Sequence, residues 1–359
     1  MKRRCSRSGS SSPRSLPMIK CSSLNTPTKK EVEPPLSGRE RSLSVTRSIG
    51  RRDFIQKGLR FGMTAAVGGP VLRRFADNPL LGLAKDIPAI AAVEGDDYGR
   101  NTLKAVEILG GIERFVPKNS RVAILANVQS SHPGAFTSPA VLRSVLRLCR
   151  QAGAKEVNLV SWQALKNWES TGLAQVVAEE GASLKLFERD EANFKPVPIP
   201  AGKALTESRI LNAFFEHDVF INMPVTKDHA GNKFTGTMKN LMGINSPVNN
   251  RTFHKENWQT EKSAIEHLDQ SIADLNTVVK PTLNLVDATE FITTNGPFGP
   301  GEIIKPKKVV AGADRVAIDA YCAALWGLKP EDIVMIKRGQ EHGLGQHDLK
   351  KVKIQEMSV

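Results

Sequence analysis

The segment RVAILANV at residues 121–128 is a short apolar run of strand type. It is followed at 138–154 by SPAVLRSVLRLCRQAGA, where apolar residues recur at helical spacing between a Ser-Pro start and a glycine stop. A second apolar run of strand type, EVNLVSW, comes next at 156–162. Such strands alternating with helices are typical of a parallel sheet covered by helices on both faces.

The same alternation continues towards the C-terminus. It comprises a strand at 219–225, an amphipathic helix at 262–279, a strand at 281–289 and a strand–turn–helix unit at 307–328. The sequence therefore predicts an α/β domain at 118–350, built on a mainly parallel sheet with helices on both faces. The polar segment 226–260 interrupts the pattern, which leaves open a division into two lobes. Residues 92–117 are predicted to be a linker and a lead-in helix.

The net charge of +13 is concentrated at the N-terminus. Residues 1–60 contain 15 Lys and Arg against 4 acidic residues, a charge of +11, so residues 61–359 carry only +2. A nearly neutral folded region does not predict a nucleic-acid surface. We therefore expect no nucleic-acid partner.

The N-terminal region reads as a leader. Residues 1–46 are rich in Ser, Pro and Arg, which predicts a disordered basic segment. At 47–91, the twin Arg of GRRDFIQK and the weakly apolar run after it are typical of a twin-arginine export signal, and AIAA at 89–92 offers a cleavage site. Export predicts the twin-arginine translocase as a partner and a bacterial periplasmic or other extracytoplasmic location. A basic tail and an organelle transit peptide are the alternatives.

The segment NMPVTKDHAGNKFTGTMKNLMG at 222–243 carries the main candidate site. It follows a predicted strand, and ligands of parallel sheets bind at the carboxyl ends of strands. Lys227, His229 and Lys239 are predicted to be catalytic, because two ammonium groups and an imidazole attract an anion and can move a proton. Thr235 and Asn240 are predicted to bind the substrate. The alternative is a solvated loop with ordinary surface lysines.

Other candidates lie on neighbouring segments. Asn295, Gly296 and His132 are predicted to bind substrate, whereas His254 and Asp287 are predicted to be metal ligands. Each has a structural alternative: a turn for the first three, a surface position for His254 and a helix cap for Asp287. Asp319 lies within an apolar helix, where a carboxylate needs a partner, and Lys239 or Lys227 is the predicted one.

Several familiar site types are missing from the sequence. No Walker A, H-E-x-x-H, G-x-S-x-G or strand-linked G-x-G-x-x-G motif occurs, and there is no C-x-x-C. The chain therefore has no iron–sulfur motif of its own.

Four segments resemble, in order, the motifs of the domain of unknown function 362 family. They are FINMPVTKDHAGNKFTGTMKNLMGI, DLNTVVKPTLNLVDAT, TNGPFGPG and VVAGADRVAIDAYCAALWGL. The resemblance covers about 118–345. Some family members carry ferredoxin-type modules. This chain lacks that module, which weakens an electron-transfer role and leaves a separately encoded iron–sulfur protein as the alternative redox partner. The chain departs from the family where Lys-Pro-Asn commonly follows the first strand, since it reads LANVQSSHPG.

A shorter segment, HAGNKFTGTMK at 229–239, is similar to nickel-pincer lactate racemases in its order of His, Gly-rich loop and Lys. That resemblance implies a metal or pincer-type cofactor anchored by Lys239 and ligated by His254, with His229 moving a proton.

Together these features predict an exported, cofactor- or metal-assisted enzyme that acts by proton transfer on a small anionic substrate, either a carboxylate or a phosphate. The alternative is a non-catalytic module that binds an anion or partners an iron–sulfur protein.

Overall fold

A computed structural model describes residues 87–359, and the predicted leader and most of the predicted export signal lie outside this range. Its strands are β1 (Ile90–Glu94), β2 (Arg121–Ala126), β3 (Glu156–Ser161), β4 (Ser183–Leu186), β5 (Phe194–Pro198), β6 (Glu207–Leu211), β7 (Val219–Met223), β8 (Leu283–Ala288), β9 (Phe291–Ile292), β10 (Ile303–Ile304), β11 (Lys308–Gly312) and β12 (Ile354–Ser358). The α-helices are α1 (Tyr98–Ile108), α2 (Pro139–Gln151), α3 (Leu165–Ser170), α4 (Leu173–Glu179), α5 (Thr237–Asn240), α6 (Pro247–Phe253), α7 (Lys262–Val278), α8 (Arg315–Ala324) and α9 (Val334–Glu341). Short 3₁₀ turns occur at Ile112–Arg114, Glu191–Asn193, Asn212–Glu216, Leu241–Ile244, Pro330–Asp332 and Leu349–Lys351.

The main sheet has eight strands in the order β12-β1-β11-β8-β7-β2-β3-β4. Strands β8, β7, β2, β3 and β4 are parallel to one another. Strand β11 runs antiparallel to both β8 and β1, and β12 is parallel to β1. Only β11 therefore opposes the common direction, which confirms the predicted mainly parallel sheet. Two small antiparallel pairs, β5-β6 and β9-β10, lie outside it.

Both faces of the sheet are buried. Successive residues of β1 belong to opposite cores: Ile90 and Ala92 face one, and Ala91 and Val93 face the other, as the two-residue period of a strand requires. Helices α1–α4 contribute to one core, and α5–α9 to the other. The prediction of helices on both faces is confirmed.

The two-lobe alternative is not confirmed. The described residues fall within one unit, 66–359. The segment 226–260 places Phe234, Met238, Leu241 and Phe253 in the same core as β8 and α8. Its apolar residues anchor it to the sheet rather than separate it.

The sheet extends beyond the predicted domain of 118–350 at both ends. Residues 92–117, the predicted linker and lead-in helix, contain helix α1 and the second half of β1. Strand β1 pairs with β11 on one side and with β12 on the other, so it is an inner strand. Three residues of the AIAA segment that suggested a cleavage site, Ile90, Ala91 and Ala92, are fully buried in this strand.

Within residues 87–359, no helix combines the length and apolar character needed to cross a membrane.

Candidate functional site

A pocket of about 230 Å³ opens at the carboxyl ends of β2 and β3. We call it the inner pocket. Residues directly after these two strands, including Asn127 and Trp162, form one wall. The segment from Thr235 to Gly243 and the region of His254 and Trp258 form the other. None of the lining residues is an Asp or a Glu. The pocket therefore has no fixed negative charge on its surface, which favours an anionic ligand.

Lys239 supplies the positive charge of the inner pocket. It lies on the single turn of α5 and its residue is only 6% exposed. Among the described residues, the hydrogen-bond partner of its Nζ is the thioether Sδ of Met242 at 3.8 Å, which is a weak acceptor. Burial lowers the pKa of Lys239 to about 7, opposed by the charge of Asp269 on α7. An ammonium group without an oxygen acceptor is poised to bind an anion from outside the chain.

Two imidazoles line the same pocket, and each is bound through Nδ1 to a backbone carbonyl. Nδ1 of His229 lies 2.7 Å from the carbonyl of Ala230, and Nδ1 of His254 lies 2.8 Å from the carbonyl of Asn250. A carbonyl can only accept, so each Nδ1 carries the proton and each Nε2 keeps a free lone pair. The ring centroids are 6.1 Å apart with an interplanar angle of 29°.

Both imidazoles are neutral at physiological pH. Burial lowers the pKa of His229 well below its usual value, and the charge of Lys239 lowers it further. Burial and Lys239 also lower the pKa of His254 to about 4. Trp258 packs against both rings, with centroid distances of 5.1 Å to His229 and 4.8 Å to His254. The pair can therefore act as bases or as neutral ligands.

Buried amides and a hydroxyl complete the wall around Lys239. Asn240 accepts a hydrogen bond from Asn127 at 3.0 Å and donates one to Asn222 at 2.8 Å. The hydroxyl of Thr235 lines the pocket and, within the described chain, has no hydrogen-bond partner. A buried hydroxyl without a partner is costly, so it is available to a ligand.

Lys227, predicted to be catalytic, lies behind the inner pocket rather than in its wall. Its side chain is fully buried and donates to Asn127 Oδ1 at 3.1 Å and to the carbonyl of Ala135 at 2.7 Å. Burial, reinforced by the charge of Lys239, lowers its pKa to about 7. Because its ammonium is bound to oxygen atoms of the chain, Lys227 holds the loop after β2 in place and does not face a ligand.

Asp319 does not pair with either lysine, so that prediction was wrong. Its carboxylate accepts the backbone N–H of Thr237 at 2.5 Å and of Met238 at 3.0 Å. It therefore caps α5, which orients Lys239 towards the pocket. Burial raises the pKa of Asp319 to about 7. A Cβ at Gly236 would lie 2.3 Å from Asp319 Oδ1, so only glycine permits this approach.

Asp287 is part of the framework. Its carboxylate accepts the N–H of Ser138 at 2.6 Å and both the N–H and the hydroxyl of Thr289. It fixes the start of α2 and does not line the inner pocket. In residues 87–359, no group of three His, Cys, Asp or Glu side chains could hold a metal. The imidazoles that line the inner pocket belong to His229 and His254. Asp287 lies outside this pocket and its carboxylate is bound to Ser138 and Thr289, so it does not fit the predicted role of metal ligand.

The three remaining predicted residues lie outside the inner pocket. His132 is exposed. Asn295 has a positive φ of 55° and donates to the carbonyl of Pro300, as a turn residue does. The N–H of Gly296 donates to Asp228 Oδ2 at 2.7 Å, which ties the 294–301 loop to the segment before His229. That loop reaches the pocket through Pro297 and Phe298 instead.

The sequence model of the domain of unknown function (DUF362) matches residues 122–324, more than half of the chain. The chain belongs to the DUF362 family. This confirms the resemblance found in its motifs. The matched range contains every residue that lines the inner pocket.

The chain is also 25% identical over 272 residues to a thylakoid-associated protein of Synechocystis sp., covering 72% of this chain and 80% of that protein. It is weakly similar to the lactate racemase apoprotein from Thermoanaerobacterium thermosaccharolyticum, with a TM-score of 0.39 and 16% identity. That similarity covers 64% of this chain and 55% of the racemase, so the chain spans about half of the racemase length.

The sequence did not single out several of the residues that line the inner pocket. Asn127, Trp162, Asn250, Trp258 and Phe298 all line the inner pocket. A signal existed for two of them, because Asn127 and Trp162 lie at the carboxyl ends of predicted strands. The other three lie on loops and a short helix whose path the sequence does not reveal.

Proposed function

We propose that the chain is an enzyme that binds a small carboxylate in the inner pocket and moves a proton at the bound molecule. The observation that carries this proposal is Lys239. Its buried ammonium has a thioether as its partner in the described chain, and it lines a pocket without carboxylates. An organic anion would replace the missing acceptor, with the hydroxyl of Thr235 as a second donor.

The two neutral imidazoles support proton transfer at such a ligand. With the carboxylate held by Lys239, the free Nε2 of His229 accepts a proton from the carbon next to the carboxylate. The electron pair of the broken C–H bond moves into the carboxylate, and the ammonium of Lys239 stabilises the added charge. Return of the proton to the opposite face of the same carbon gives racemisation. His254 offers an equivalent Nε2 on the neighbouring ring.

Binding is tested by titrating acetate, propionate and lactate into the protein by calorimetry. Met has a side chain of similar length to that of Lys but carries no charge. For Lys239→Met we expect the affinity for these carboxylates to fall about 10- to 100-fold, the value of one charged hydrogen bond. Lys233→Met is the matched control, because Lys233 is exposed on the same segment and does not line the pocket. Equal affinity in Lys239→Met and wild type would contradict the proposal.

Proton transfer is tested on the same carboxylates by NMR, as exchange of the hydrogen next to the carboxylate in D₂O. His229→Asn should slow exchange by about 10²- to 10⁴-fold, whereas His132→Asn, at an exposed position, should not. Binding that depends on Lys239 without any exchange would instead favour the non-catalytic anion-binding module.

We also propose that the protein is exported, because the twin Arg at residues 51–52 and the apolar run after it are typical of a twin-arginine signal. The Synechocystis relative is a thylakoid-associated protein, which supports a location at or across a membrane. The N-terminus of protein isolated from its host, read by mass spectrometry, tests this. An N-terminus at Met1 would contradict export with cleavage.

A further inference from the structure

A second, more open pocket of about 380 Å³ adjoins the inner pocket, and we call it the outer pocket. The two share five lining residues: Gln129, Trp162, Gln163, Asn250 and Phe298. The side chain of Phe298 is more than half exposed at the shared edge. A ligand in the inner pocket can therefore extend along this wall into the outer one.

Two arginines line the outer pocket, Arg189 and Arg251. Arg251 lies in the last turn of α6, one residue after Asn250, which lines both pockets. Arg189 lies with its guanidinium carbon 5.1 Å from the ring centroid of Trp162, a cation–π contact that holds it against the shared wall. No Asp or Glu lines the outer pocket.

Neither guanidinium has a carboxylate partner among residues 87–359. By contrast, Arg143, Arg147 and Arg150 on α2 all pair with Glu180. Arginine side chains bind planar anions such as carboxylates and phosphates through paired N–H donors. Positive charge thus stands at both ends of a continuous cavity, and the wall between them carries the flat rings of Trp162 and Phe298.

From this arrangement we infer that the ligand is an elongated molecule with two anionic groups separated by a flat, apolar middle. Lys239 binds one anion in the inner pocket, Arg189 and Arg251 bind the other in the outer pocket, and the middle lies along Trp162 and Phe298. This inference rests on the proposed function, because the inner anion is the carboxylate at which the proton moves. The outer anion is a carboxylate or a phosphate.

The test compares three probes on the full chain by calorimetry. Benzoate carries one anionic group and a flat ring, terephthalate adds a second carboxylate, and 4-carboxyphenyl phosphate adds a phosphate. We expect at least one of the two-anion probes to bind about tenfold or more tightly than benzoate, because the second contact forms within an already bound molecule. Whichever gains more identifies the outer group.

Arg189→Gln combined with Arg251→Gln should remove this gain while leaving benzoate affinity within about twofold. Arg100→Gln, at an exposed arginine of α1 outside both pockets, should leave the gain intact. Benzoate binding that depends on Lys239, with no gain from either second anion, would overturn the inference and leave the proposed function standing. A gain that survives the double substitution would also overturn it. Failure of benzoate to bind while acetate still binds would overturn the inference alone, and failure of acetate as well would overturn the proposed function.

Discussion

At the scale of single residues, two buried lysines of one segment have different roles. Burial lowers the pKa of both Lys227 and Lys239 to about 7. Lys227 donates hydrogen bonds to Asn127 and Ala135, whereas Lys239 faces the inner pocket with a sulfur atom as its partner in the described chain. The two lysines have the same charge and are both buried, so the available acceptors decide which ammonium is open to a ligand.

The lowered pKa of Lys239 makes anion binding depend on pH. In the free protein Lys239 loses its proton as the pH rises through about 7. A bound anion stabilises the ammonium, so Lys239 keeps its proton to higher pH in the complex. We expect the Kd for acetate to be flat below pH 7 and to increase about tenfold per pH unit above it. Calorimetry from pH 6 to 9, in buffers of different ionisation enthalpy, measures both the Kd and the proton uptake.

Other groups near Lys239 titrate in or near this range. His229 and His254 stay neutral throughout, whereas Lys227 loses its proton near pH 7 and burial raises the pKa of Asp269 to about 6. Lys239→Met is therefore the control, since it leaves all four groups in place. A slope that persists in this variant would assign the pH dependence to another residue.

At the scale of elements, helix α5 depends on its neighbours. Its four residues are too few for an isolated helix, because the conformational entropy lost in ordering the first turn exceeds the stabilisation from its hydrogen bond. Asp319 of α8 accepts two of its first N–H groups, and Asn222 of β7 donates to the carbonyl of Thr237 at 2.9 Å. The orientation of Lys239 is thus set by residues distant in sequence.

Asp319→Asn should destabilise the fold and weaken the site together. The amide offers one oxygen where the carboxylate offered two, which leaves a buried N–H without an acceptor. We expect the free energy of unfolding to fall by about 1–3 kcal/mol and acetate affinity to fall with it, measured by urea denaturation and calorimetry.

Asp314→Asn is the matched control for this variant. Asp314 caps α8 by accepting the N–H of Ala317 at 2.9 Å, and Asn is nearly as good a helix cap as Asp. This change should leave acetate affinity unaltered. Equal losses of affinity in both variants would show that α8 as a whole, rather than the cap on α5, controls Lys239.

At the scale of the whole molecule, the sheet requires strand β1. Four of its five residues are fully buried, and the strand is paired on both edges. Its position between β11 and β12 joins the C-terminal strand to the rest of the sheet. Any processing of the leader has to leave this strand intact.

We therefore expect the processed protein to begin before Ile90. A chain that starts at Ile87 should unfold as cooperatively as the full chain. A chain that starts at Ala92 loses the buried side chain of Ile90, worth about 1.5–3 kcal/mol, in addition to the backbone pairs of two residues. Thermal denaturation of the two chains measures the difference. Equal melting temperatures, or a natural N-terminus at Ala92, would show that the first half of β1 is dispensable.

Local pattern in the sequence determined most of the elements and the general place of the site. The apolar runs at 121–128, 156–162 and 219–225 correspond to β2, β3 and β7, and the helical spacing at 138–154 corresponds to α2. These elements follow from the periods of burial, which neighbouring residues carry. Polar groups after a strand were expected to gather at its carboxyl end, and the structure places Lys239, His229 and His254 around one pocket.

Tertiary structure alone decided which of those polar groups face the pocket and which serve the framework. The sequence shows that Lys227, Asp287 and Asp319 follow strands or occupy a helix, but their acceptors and donors come from segments up to 149 residues away. It also could not reveal that β11 reverses direction or that Ile90, Ala91 and Ala92 belong to an inner strand, because pairing depends on distant partners. Hydrogen bonds across the fold, which no local pattern records, distinguish Lys239, which lines the pocket, from Lys227, which supports the framework.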